Sequence, residues 1–187
     1  MKTESERHFE SFCRRNGFEL LPVPVGIRKT PDYLLRGTQQ VVVVEVKELL
    51  PTREEQESDQ VVAERGVGTV TGATPGERIR KKIADCSKQI KARTMGRHPG
   101  LLVLWEGGHC AGRHTEPCQV RAAMEVANRT ISAVAVLCMP GPDTLLLQVF
   151  HNAHAAVPLN PSSLQSADVR HFSLRDDRCR TTAWVQL

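Results

Sequence analysis

Residues 40–47 read Gln-Val-Val-Val-Val-Glu-Val-Lys, with five valines in eight positions. A run this rich in β-branched side chains fits a buried strand better than a helix. A second apolar run, Tyr33-Leu34-Leu35, precedes it across a turn near Gly37-Thr38. The stretch Thr30–Lys47 therefore predicts a β-hairpin. Alternation along the second strand places Val41, Val43, Glu45 and Lys47 on one face and Val42, Val44 and Val46 on the other.

Glu45 and Lys47 thus end an otherwise apolar strand. Burying a carboxylate and an ammonium there is costly unless they are paired or bind something. Asp32, directly after Pro31, opens the partner strand and lies across from the far end of the second strand, so Asp32, Glu45 and Lys47 can converge. Two neighbouring carboxylates raise each other's pKa, and a divalent cation between them removes that penalty. A few hard oxygen ligands suit Mg²⁺ or Mn²⁺, which keep bound waters and accept phosphate oxygens. Such an ion acidifies a bound water, and a lysine beside it can orient that water or offset phosphate charge. A hairpin ending in a solvated ion pair accounts for the same residues, and both readings stand at this point.

The pattern Pro31-Asp32, twelve residues, then Glu45-Val46-Lys47 resembles the PD-(D/E)XK nuclease superfamily. The resemblance implies an α/β protein with a restriction-endonuclease-like core, a central mixed β-sheet flanked by helices. It implies an Mg²⁺-dependent (or Mn²⁺-dependent) endodeoxyribonuclease that hydrolyses phosphodiester bonds in DNA. In that reading Asp32 and Glu45 hold the metal, the Val46 carbonyl adds a ligand, and Lys47 acts on the attacking water and the phosphate. A glutamate of the first helix, Glu6 in preference to Glu10, completes the metal surroundings. A glutamine or lysine of the next helix approaches the site, with Gln89 first by phase and Lys82 second. The resemblance covers roughly residues 4–105.

The rest of the chain supplies the flanking elements. Residues 4–16 predict a helix with an apolar stripe of Phe9, Phe12 and Cys13, stopped at Gly17. Phe18–Val25 predicts an edge strand, because Pro22 and Pro24 lack ladder donors. Arg28 and Lys29 precede the hairpin as surface charge or phosphate contacts. Within residues 51–76, the acidic stretch 53–65 suggests a short exposed helix and the glycine- and threonine-rich stretch 66–76 a mobile loop after the candidate catalytic strand, either a lid over substrate or a disordered insertion. Glu77–Arg93 predicts the clearest helix, with Ile79, Ile83, Cys86 and Ile90 as its buried stripe. Lys82 and Gln89 border that stripe, and Lys88 points away from it. From Glu77 to Arg97 there are eight Lys or Arg and two acids. This basic face, Arg78, Lys81, Lys82 and Lys88, is either a nucleic-acid contact or a solvated surface.

Gly100–Glu106 predicts a buried strand, and the strand–helix–strand order implies a crossover and parallel pairing. His109, Cys110, His114 and Cys118 fall at a spacing that permits zinc without the usual Cys-x-x-Cys pairs. Gln119–Asn128 predicts a helix with Val120, Ala123, Met124 and Ala127 on one side. Ile131–Cys138 and Thr144–His151 form a second hairpin around residues 140–143. His151, Asn152 and His154 are expected in a solvent-facing loop. Pro158–Leu164 is a connector, and Trp184 packs a final strand or turn.

The chain has 187 residues, 40% hydrophobic and 25% charged. One domain is expected, with the core at about 4–105 and a C-terminal hairpin and tail at 119–187. No apolar run is long enough to span a membrane, and Met-Lys-Thr-Glu-Ser-Glu is not a signal-peptide core. The six scattered cysteines suit reduced thiols and a cytoplasmic location. A formal charge of +4 permits a nucleic-acid partner, and cutting a duplex would favour a homodimer. With 4% aromatic residues, stacking of single strands is a poor leading idea. The competing function is a non-catalytic nucleic-acid-binding or assembly module on the same fold.

Overall fold

The computed structural model describes residues 2–24, 30–49, 77–94, 96–106, 129–141, 144–175 and 183–186, together with positions 57, 60–61, 64–65, 120 and 123–124. These form a mixed α/β structure. Helix α1 (Glu4–Arg15) leads into strands β1 (Glu19–Pro22), β2 (Tyr33–Arg36) and β3 (Val41–Glu48), and then into helix α2 (Glu77–Thr94). Strands β4 (Gly100–Trp105), β5 (Ala133–Gly141), β6 (Thr144–His151), β7 (Val169–Arg175) and β8 (Ala183–Gln186) follow, with a 3-10 turn at Pro161–Leu164. All eight described strands lie in one sheet in chain order. Strands β1, β2 and β3 pair antiparallel, while β3–β4 and β4–β5 are parallel. The β5–β6 pair is antiparallel, β6–β7 parallel and β7–β8 antiparallel.

Local chemistry explains the ends of α1. The Thr3 hydroxyl accepts the Glu6 N–H, and the Glu6 carboxylate accepts the Thr3 N–H at 2.6 Å. This reciprocal capping box satisfies donors that the first turn would otherwise leave open. At the other end Gly17 takes a left-handed φ of 71°. Gly17 N–H then bonds Arg14 O, and Phe18 N–H bonds Cys13 O at 2.9 Å. That is a Schellman closure, and it turns the chain directly into β1.

The two helices pack on opposite faces of the sheet. On one face Phe9, Phe12 and Cys13 of α1 meet Val42, Val44, Val46, Leu101 and Val103. On the other, Ile79, Ile83, Cys86 and Ile90 of α2 meet Val43, Leu102, Leu104 and Val134. Central strand β4 is buried along its whole length, as expected of a parallel strand covered on both sides. Among the described residues no helix is long and apolar enough to cross a membrane.

Several expectations need correction. The first strand is Glu19–Pro22, shorter than Phe18–Val25. The expected C-terminal hairpin is the antiparallel pair β5–β6, and β5 to β8 continue the same sheet. Strand β5 runs on through Pro140 and Gly141, past the expected end at Cys138, and Gly141 pairs with Thr144 within the expected 140–143 turn. His151 is the last residue of β6, where its Nε2 lies 2.9 Å from His171 Nδ1. Asn152 is buried and donates to Ile131 O at 2.8 Å, while His154 is exposed as expected. Positions 120, 123 and 124 are helical and buried. Arg28, Lys29, the cysteine–histidine stretch 109–118 and most of 51–76 lie outside the described residues.

Candidate active site

The site arises where β2 ends and β3 does not. Their last paired residues are Tyr33 and Val44, yet β3 runs on to Glu48. Val43 and Leu49 donate their N–H groups toward the β4 side, to Pro99 and Trp105. By strand alternation the main chain of Val46 faces the opposite side, where β2 has stopped. Asp32 fills that gap, and its Oδ2 accepts the Val46 N–H at 2.8 Å. A strand residue's N–H and C=O point the same way, so the Val46 carbonyl opens toward the same gap.

A cavity of about 840 Å³ occupies this gap. Asp32, Glu45 and Lys47 line it, together with Glu6 from α1 and Lys82, Asp85 and Gln89 from α2. Lys2, Pro22, Val23, Thr30, Pro31 and Tyr33 complete the wall. The hairpin thus brings Asp32, Glu45 and Lys47 together, and α1 and α2 bring Glu6, Lys82 and Gln89 to them.

Electrostatics make the site tense. The Glu45 side chain is 1% exposed. Its Oε1 accepts a hydrogen bond from Lys47 Nζ, and its Oε2 has no hydrogen-bond partner among the described residues. Burial raises the Glu45 pKa; the Lys47 hydrogen bond and charge and the Asp32 main-chain N–H oppose that shift, and the Asp32 charge reinforces it. Asp32 is also raised by burial, against the pull of the Val46 N–H and Lys47 and with added repulsion from Glu6. Burial alone would lower Lys47, but the Glu45 hydrogen bond and the charges of Glu45 and Asp32 hold its ammonium above the ordinary value. On α2, Gln89 Oε1 is a second buried oxygen without a partner among the described residues.

The remaining predicted residues divide. Glu6 reaches the cavity, but its Oε2 is engaged with Thr3. Glu10 does not line the cavity; it accepts from Tyr33 OH at 2.9 Å and from Lys2 Nζ at 2.6 Å. Arg78, Lys81 and Lys88 do not line the cavity, and exposed Lys81 pairs with Glu77 at 3.2 Å. Asp85 and Lys2 are cavity residues that sequence reasoning missed. Asp85 was within reach, since it lies three residues after Lys82 and four before Gln89 on the same helical border. Nothing in the local sequence marks Lys2.

Among the described residues no three His, Cys, Asp or Glu side chains come close enough together to hold a metal ion. Two carboxylates and a main-chain oxygen are still a sufficient protein contribution for Mg²⁺, which retains several waters. Compared with known proteins, the chain matches no family model, and no curated protein or solved structure matches it significantly.

Proposed function

We propose that this chain is a divalent-cation-dependent nuclease that hydrolyses phosphodiester bonds in DNA, built on a restriction-endonuclease-like core. The observation that carries the reading is the buried Glu45 Oε2, without a hydrogen-bond partner among the described residues, in a cavity that a second carboxylate, Asp32, also lines. An unpaired, desolvated carboxylate oxygen is costly, and a cation is the partner that removes the cost. The order of α1, three antiparallel strands, a crossover helix and a parallel fourth strand supports the fold assignment.

The residues present fit Mg²⁺ or Mn²⁺. Asp32, Glu45 and the Val46 carbonyl would hold it, and the ion would acidify a bound water and offset phosphate charge. In the reaction a water oxygen bonds to phosphorus while one P–O ester bond breaks, leaving a phosphate monoester and a hydroxyl. Asp32 is kept in place by the Val46 N–H. Lys47 is held protonated, so it serves as a donor and not as a base. One of its three N–H groups is on Glu45, which leaves two for the scissile phosphate or the attacking water. Gln89 Oε1 can accept from a water in the cleft, and Lys82 can meet a flanking phosphate. Glu6 acts through its charge on Asp32.

The test is cleavage of labelled linear, supercoiled, branched and single-stranded DNA in Mg²⁺ or Mn²⁺, beside Asp32→Ala and Lys47→Ala. Metal-dependent cutting lost in both variants is expected. Equal cutting by Asp32→Ala would end the assignment. Binding of these substrates with no cutting by the wild type would favour the non-catalytic module.

A further inference from the structure

We infer that Lys2 contacts a substrate phosphate and stands across the cleft from Lys82, so that a nucleic-acid strand runs between the N-terminal end of α1 and α2. The inference rests on the nuclease reading and deepens it by naming the strand's path.

Three observations carry it. First, Lys2 lines the same cavity as Asp32 and Glu45, although it is far from both in sequence. Second, it is held there. Lys2 Nζ donates to Glu10 Oε1 at 2.6 Å, and the same oxygen accepts Tyr33 OH at 2.9 Å. Tyr33 directly follows Asp32 and is buried, so one carboxylate ties the Lys2 ammonium to the strand that carries the site. The Lys2 side chain remains 58% exposed, and two of its three N–H donors are left for a ligand. Third, α1 and α2 pack on opposite faces of the sheet, so Lys2 and Lys82 enter the cleft from opposite sides.

The local charge balance adds a condition. Lys47 is paired with Glu45 and Lys2 with Glu10, which leaves Lys82 facing Glu6, Asp32 and Asp85. That set is net negative and repels a polyanion. One divalent cation cancels that charge, so the two lysines hold phosphate only in the cation-loaded cleft.

The experiment is fluorescence anisotropy of labelled duplex and single-stranded DNA with the full chain in Ca²⁺, across a range of KCl, with a parallel series in EDTA. Lys2→Ala removes only an exposed ion pair and leaves the fold intact. Losing one phosphate contact should weaken affinity by about eightfold at 0.1 M salt. It should also lower the slope of log affinity against log salt by about 0.9 on duplex, or about 0.7 on a single strand. Lys82→Ala should do the same, and the double variant about twice as much in slope. Arg14→Ala, an exposed change at the far end of α1, should change neither quantity. A Lys2→Ala slope equal to wild type, or affinity no weaker in EDTA than in Ca²⁺, would overturn the inference. If the wild type cuts DNA in Mg²⁺ but Lys2→Ala binds like wild type, only this inference fails. If Lys2→Ala lowers the slope while the wild type never cuts, the contact stands and the nuclease reading fails.

Discussion

Asp32 Oδ2 and the Val46 backbone N–H are joined at 2.8 Å, across the point where β2 gives out. The carboxylate replaces the missing ladder partner and stops there, beside Glu45. A structural bond and a candidate ligand are therefore the same group.

These two tasks can be separated by substitution. Asp32→Asn keeps an oxygen acceptor for Val46 and loses the charge. It should fold like wild type, and the rise in Tm expected of the wild type in Mg²⁺ or Mn²⁺ should be lost. Asp32→Ala leaves the Val46 N–H without its acceptor and should cost about 1–3 kcal/mol in addition. Thermal and urea unfolding with and without the cation measure the two effects.

His151 predicts an acid-sensitive stability. Burial, aided by the neighbouring His171, pushes its pKa down to about 4. A base lowered in the folded state binds fewer protons there than when unfolded. Its contribution is therefore complete above the unfolded value near 6.5 and is lost as pH falls toward 4. Asp32 and Glu45 are raised, so they shift in the opposite sense as pH falls. The comparison with His151→Gln isolates the histidine. Between pH 6.5 and 4 the urea midpoint of wild type should fall more than that of the variant. Parallel curves would contradict the assignment.

Gly100 is where α2 meets the start of β4. A Cβ there would lie 2.4 Å from Ile90 Cγ2 and 2.9 Å from Thr130 O. The isoleucine can give way, but the backbone oxygen has less room to move. Gly100→Ala should destabilise by about 1–3 kcal/mol, as overpacking does. Adding Ile90→Val should not recover the wild-type value, because the Cγ2 methyl remains in valine. Thermal and urea unfolding of the single and double variants check this.

Asn160 fastens the C-terminal half to the turn of the first hairpin. Its Nδ2 donates to Gln39 Oε1, its backbone N–H donates to Gln40 Oε1 at 2.9 Å, and its Oδ1 accepts from Ser162 N at 3.1 Å. Asn160→Ala should cost about 1–2 kcal/mol through the lost cap and tether. The bonds lie at the end of the hairpin away from Asp32, so cation affinity measured by calorimetry should stay within about twofold of wild type.

Much of the site was legible in the residues. The valine run, the turn near Gly37 and strand alternation place Glu45 and Lys47 on one face. The isoleucine stripe of α2 gives the phase that brings Lys82 and Gln89 to the same side. The same spacing points to Asp85, an acid set among the basic residues of that helix. The His151–His171 pair could not be read, since β6 and β7 are parallel neighbours joined by a long connection.

Local sequence determined the hairpin, the capped and stopped α1, and the amphipathic α2, because turn chemistry, capping and side-chain periodicity act over a few residues. Only the tertiary structure decided that β5 to β8 extend the same sheet, since parallel pairing joins segments whose sequences do not report on each other. It alone decided that Glu45 Oε2 lacks a partner among the described residues, because that depends on which side chains α1, β2 and α2 bring around it. It also decided that Lys2 stands at the cleft, for its position follows from the packing of α1 on the sheet and from Glu10 holding both Lys2 and Tyr33.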